Sequence, residues 1–304
     1  MTRPFSVRKL LLAFFIALLI LLTALLLWNA DVALSLIQAA QAGTLSLQRI
    51  RNEVAAFDLG QGLPVTPVDI RTSPLDGMVQ VYVPEGVFQM GDGAIGDGRD
   101  SPAHPVYLDA FWMDQVEVTN AMYETCVRAG GCSEPTPGVN PYYGHWIYRD
   151  HPVVYVSWAQ AGAYCQWAGR RLPTEAEWEK ASRGTDGRAY PWGNEPPNPS
   201  LANFSETLIH EAVSAYRYPL GASPYGVLNM AGNVREWVAD WFAADYYQYS
   251  PNTNPLGPGS GLERSLRSGS YNESWKGIAI YHRYNHDPKS PGLSRGFRCA
   301  QSAE

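Results

Sequence analysis

Apolar and polar residues alternate through Val79, Val81 and Val83 and again through Gly86–Gly91, with the turn triplet Pro84-Glu85-Gly86 between, which predicts two short strands. Val106–Val118 alternates in the same way and predicts a further strand pair. The period then changes. Thr119 caps a predicted helix over Asn120–Ala129 that stops at Gly130-Gly131, and Ser157 with Gln160 forms a capping box for a second helix that ends at Gly169. Cys165 of that second helix turns toward the core with Trp158 or Trp167. Thr174 and Glu177 make another capping box for a third helix, with Trp178 on its buried face and Gly184 at its end. Tyr190–Pro224 is irregular and rich in Pro and Asn, a long loop held down by Trp192 and other aromatics. Leu266–Tyr271 and Gly296–Ala300 read as two strands separated by a loop of Tyr, His and Arg.

Ahead of these elements, Leu10–Trp28 is an uncharged run of about 19 residues, which as a helix spans roughly 28 Å and is long enough to cross a bilayer. Residues 1–9 carry Arg3, Arg8 and Lys9, so this tail is expected to stay cytoplasmic and the rest of the chain to lie outside. A cleaved leader is the alternative, but the best small-residue site, Ala40–Ala42, lies far downstream of the apolar run. Residues 29–76 read as stalk and linker: a short helix within Asp31–Phe57, then a Gly, Pro and Thr tether over Asp58–Pro74. The folded domain is expected over 77–301.

Composition adds a texture. Of 304 residues 45% are hydrophobic and only 17% charged, with 28 Gly, 23 Pro, 10 Trp and 18 Tyr, which describes a loop-rich fold with an aromatic core. A net charge of −6 without Lys/Arg stripes argues against a nucleic-acid partner. Cys126 and Cys132 bracket the end of the first helix and can close a small disulfide outside the cytoplasm. Asp92, Asp97 and Asp100 lack calcium-loop spacing and read as a solvated loop. The densest stretch is Tyr225–Trp241, where Asn229, Gly232, Val234 and Glu236 alternate side-chain and main-chain oxygens in a way that suits calcium. A buried turn with a satisfied carboxylate accounts for the same spacing.

Several separated motifs resemble the formylglycine-generating enzyme, or sulfatase-modifying factor, family. They are Val83-Pro84-Glu85-Gly86-Val87-Phe88-Gln89-Met90-Gly91, Glu117-Val118-Thr119-Asn120, Arg171-Leu172-Pro173-Thr174-Glu175-Ala176-Glu177-Trp178-Glu179 and Tyr190-Pro191-Trp192-Gly193-Asn194. Gly232-Asn233-Val234-Arg235-Glu236-Trp237, Arg267-Ser268-Gly269-Ser270-Tyr271 and Gly296-Phe297-Arg298-Cys299-Ala300 complete the series in order. The resemblance implies an α+β, modified C-type lectin-like fold with little regular secondary structure, here joined to one N-terminal transmembrane helix. It also implies calcium at Asn229, Gly232, Val234 and Glu236, a second calcium site beginning at Asn203 and Phe204, and a Cys165–Cys299 disulfide.

One departure decides the functional expectation. The resemblance implies a copper site of two thiolates shortly after the Gly-Ser motif, but counting from Ser270 and Tyr271 places Glu273 and Ile278 there, and no cysteine lies between Ser270 and Cys299. A carboxylate and an alkyl group do not suit Cu(I). Iron-using relatives bind their metal through three histidines, and His282 and His286, with Glu273 nearby, share one face if helical. Ser270, Tyr271, Asn272, Trp275, Tyr281 and Arg283 then read either as a groove for an extended peptide or glycan or, for the aromatics, as core. The expectation is a membrane-anchored, extracytoplasmic, calcium-stabilised module that binds a peptide, protein or glycan. The alternative is an oxidoreductase with a non-thiolate metal site.

Overall fold

The computed structural model describes residues 69–93, 98–136 and 139–303, all within one unit. The tail, the apolar run 10–28 and most of the stalk lie outside the described residues. Among those described, no helix is long and apolar enough to cross a membrane.

Short strands predominate, as the Gly and Pro content demands. The first sheet has the order β1-β2-β5-β10, from Ile70–Thr72, Val79–Val83, Phe111–Asp114 and Ala300–Ser302, all antiparallel. β3 (Gly86–Met90) and β4 (His104–Leu108) form a separate antiparallel ribbon. The third sheet has the order β8-β7-β6-β9, from Tyr284–His286, Arg264–Arg267, Arg235–Trp241 and Arg295–Phe297, with β6 and β9 parallel. Among the described residues three α-helices complete the set: α1 (Asn120–Arg128), α2 (Trp158–Trp167) and α3 (Glu175–Arg183).

Helix positions follow the caps. Thr119 accepts from the Met122 amide, and both capping boxes, Ser157 with Gln160 and Thr174 with Glu177, are closed in both directions. Strand partners depart from the sequence reading. β2 and β3 do not pair across their Pro-Glu-Gly turn, and β4 and β5 belong to different sheets. β1 occupies part of the expected tether, because its residues complete an edge beside β2 ahead of Gly77. The expected strand 266–271 stops at Arg267, where Ser268 turns to φ 83°, and Gly296–Ala300 divides between two sheets as β9 and β10. β6 was not expected as a strand.

Cys165–Cys299 joins α2 to the turn between β9 and β10 inside a core of Trp237, Tyr164, Phe297 and Tyr123, all fully buried. Cys126–Cys132 closes the small loop at the end of α1. The third helix departs most from expectation, since every one of its residues is buried, charges included. Its acids are neutralised in place: Glu175 accepts from Arg267 and Arg283, and Glu179 pairs with Arg267 and Arg183. Lys180 donates to the carbonyls of Pro84 and Gly86 at 2.7 and 2.9 Å, and burial pulls its ammonium down to about 8.

Asp240 on β6 receives the Glu175 amide at 2.8 Å, and burial, reinforced by the Glu175 charge, pushes its carboxyl up to about 8. In the unfolded chain the group ionises near 4, so unfolding releases a proton between about pH 4 and 8 and stability falls as pH rises through that window. Asp240→Asn removes this contribution. Thermal unfolding from pH 5 to 9 is expected to show a shallower pH slope for the variant than for the parent, with the gap widest near pH 8.

Candidate cation knot and recognition surface

The knot forms where the chain enters β6. Asn229, Gly232 and Asn233 all take left-handed conformations, with φ of 55°, 82° and 60°. At Gly232 a Cβ would stand 2.2 Å from the Asn203 carbonyl, so only glycine fits. The turn aims two amides at one carboxylate: Asn229 and Asn233 each donate to Glu117 at 2.8 Å, and Asn229 also donates to the Ala215 carbonyl. Beside them Glu236, fully buried, accepts both arms of a fork from Arg298 at 2.7 Å and the Trp178 indole N–H at 2.8 Å. Burial pushes Glu117 up to about 7, with Arg298 opposing and Glu236 adding to the rise.

Two buried carboxylates thus face one guanidinium. The Asn229 Oδ1 is buried with no hydrogen-bond partner among the described residues, while the Gly232 carbonyl accepts from the Ser268 hydroxyl at 2.9 Å and Val234 is fully buried. An orphaned oxygen beside excess carboxylate is a donor set that fits a hard divalent cation. The pair Asn203 and Phe204 differs. The Thr207 hydroxyl lies 2.7 Å from the Phe204 carbonyl and 3.1 Å from Asn203 Oδ1, and the Asn203 carbonyl accepts from the Asn233 amide. Unlike that of Asn229, the Asn203 side-chain oxygen has a partner among the described residues.

After β7 the chain turns through Gly269, and Ser270 and Tyr271 are buried rather than lining a groove. Glu273 is held by an ion pair with Arg235 and by the Ser270 hydroxyl, and the Arg235 guanidinium sits 4.4 Å from the centre of the Tyr284 ring. Ile278 is fully buried core. The two positions counted from Ser270 therefore hold an ion-paired carboxylate and a packed alkyl group. All four cysteines are consumed in the two disulfides.

Arg283 belongs to the interior: it forks onto Glu175 at 2.9 and 3.0 Å. Its own amide donates to Asp100, which is fully buried rather than solvated. His282 lies in a turn with Nδ1 2.7 Å from Asp100, whereas His286 is on β8 opposite Arg264, so no helical face joins them. Burial and the Arg295 charge lower the His286 pKa. Among the described residues no three His, Cys, Asp or Glu side chains gather as a metal-holding group.

What reaches the surface is narrower. Trp275 is 44% exposed and so not core, Asn272 is exposed, and Tyr281 is half-buried against the Tyr190 cluster. Tyr190 stacks on Trp192 at 5.2 Å and donates to the Trp275 carbonyl, fixing the patch to the long loop. The sequence reading missed Glu117 and Arg298 as members of the knot, although both lie in quoted motifs. The signal was a carboxylate and a guanidinium inside otherwise apolar runs, which require buried partners.

Residues 67–303 match the family described as the Sulfatase-modifying factor enzyme 1-like domain. The chain is 36% identical to the formylglycine-generating enzyme of Streptomyces coelicolor over 74% of its own length and 90% of that protein's. It is 35% identical to the Bos taurus formylglycine-generating enzyme, covering 76% of each. Among solved structures, PvdO from Pseudomonas aeruginosa superposes with a TM-score of 0.68 at 23% identity, over 78% of this chain and 99% of that one.

Proposed function

Because the chain belongs to the Sulfatase-modifying factor enzyme 1-like family, we propose that it keeps the family scaffold as a binding or accessory module and does not carry the copper oxidase chemistry. One observation carries this reading: every cysteine is locked in a disulfide, so no thiolate is left to hold a soft monovalent metal. Glu273, tied to Arg235, and Ile278, buried in the core, offer no substitute. The patch of exposed Asn272 and Trp275 with half-buried Tyr281 and Trp192 is the surface for a peptide, protein or glycan partner. Two disulfides suit an oxidising compartment, which supports an extracytoplasmic domain tethered by the apolar run Leu10–Trp28.

Calcium is the ion proposed for the knot, held by the Asn229 side chain, the Gly232 and Val234 carbonyls and Glu236. Bound there, it would supply charge to balance two carboxylates and a partner for the orphaned Asn229 oxygen. No iron site is proposed, since His282 and His286 face different partners. Elemental analysis of protein purified without chelators is expected to find about one calcium per chain. At 100 times its Kd the ion is expected to add about 2.7 kcal/mol of stability, seen as a Tm that drops on adding EDTA. Redox metal near one per chain that survives EDTA would overturn the reading.

A further inference from the structure

We propose that a groove between α1 and the 144–150 loop is a second recognition site, built for an uncharged glycan. The groove encloses about 560 Å³, within the range of roughly 300–1,000 Å³ common for ligand pockets, and none of its lining comes from the 270–283 segment.

Its chemistry is that of a platform beside polar walls. Trp146, at 82% exposure, stands on the lip. Leaving so large an apolar side chain in water forfeits the gain that burying it would return, and the loop beneath it is tied down. The loop is riveted to the start of α1: the Asn120 amide donates to the His151 carbonyl, the Ala121 amide to the Arg149 carbonyl and the Asn120 side chain to the Tyr148 carbonyl, each at 2.9 Å. Tyr148 is braced edge-on between Tyr142 and His151, with ring centres 4.8 and 5.1 Å away. An exposed indole on a loop tied down in this way suits the C–H face of a pyranose ring.

The walls select against charge. Glu124 pairs with Arg128 at 4.0 Å across one turn of α1, and Arg149 lies 3.6 Å from Asp150 on the loop. All four side chains are open to solvent and their charges offset one another, and Asp76, which also lines the groove, is paired with Arg170, so the lining offers both donors and acceptors with little net field. Vicinal hydroxyls, each donor and acceptor, match such a lining. On the floor, Asn120 is 3% exposed and, among the described residues, its Oδ1 has no hydrogen-bond partner. A peptide lacks its usual footholds here, because a helix and a one-turn 3-10 segment wall the groove and neither supplies a strand edge or an apolar trough.

The test uses the full chain in detergent, screened against arrayed neutral oligosaccharides, acidic oligosaccharides and peptides, with titration of the retained probes by tryptophan fluorescence. The expected result is retention on at least one neutral oligosaccharide, with binding weakened tenfold or more by Trp146→Ala at an unchanged Tm, and unaffected by Trp275→Ala. Failure of every neutral probe, selection of acidic glycans or peptides only, or equal binding by Trp146→Ala would each overturn the proposal. Loss with Trp275→Ala and not Trp146→Ala would return recognition to the first surface, leaving that reading intact while this one falls.

Discussion

Replacing Arg298 by methionine is expected to cost about 3–5 kcal/mol and to lower Tm by roughly 6–20 °C. The guanidinium is fully buried and forks onto Glu236, while its remaining N–H groups serve the carbonyls of Asp114, Gln115 and Leu228. Methionine fills much of the space but leaves Glu236 to the Trp178 indole alone and removes the positive field that holds Glu117 down. The double change Arg298→Met with Glu236→Gln is expected to recover part of the loss, since the Glu236 charge is then no longer left without its counter-ion. Differential scanning calorimetry of the three proteins in EDTA distinguishes this from a packing defect. If the double variant is no more stable than the single, the ion pair is not what the arginine supplies.

The two disulfides are expected to differ sharply. On loop closure alone, Cys165–Cys299, with a sequence separation of 134, contributes about 5 kcal/mol, against about 2 kcal/mol for Cys126–Cys132 with a separation of 6. Cys165→Ala with Cys299→Ala also opens the centre of the aromatic core, where Tyr123 and Tyr164 stack at 5.5 Å and Phe297 meets both edge-on. Its unfolding midpoint in urea is expected to fall at least twice as far as that of the Cys126→Ala, Cys132→Ala pair. Equal falls would show that the denatured chain is already constrained by other contacts.

Helices were legible in the sequence because their information is local: Ser157, Gln160, Thr174 and Glu177 announce ends within one turn. Strand pairing was not, because β2 finds its partners in β1 and in β5, some 30 residues on, and nothing in Val79–Val83 says so. The site divides the same way. Asn229, Gly232 and Glu236 lie within eight residues and could be read together, while Glu117 and Arg298 reach them from 112 and 62 residues away. Likewise Arg283 carried the chemistry of a groove residue, and only the distant Glu175 makes it a buried counter-ion. Ionisable side chains in a loop-rich fold were the least predictable, since their role depends on which distant charge meets them.

The last strands of the domain have a consequence for how it is made. Residues 295–302 supply β9 to one four-stranded sheet and β10 to another, together with the Arg298 guanidinium and the Cys299 sulfur. A nascent chain emerging from its amino end can therefore cap its helices early but cannot close either sheet until residues 295–302 have left the ribosome.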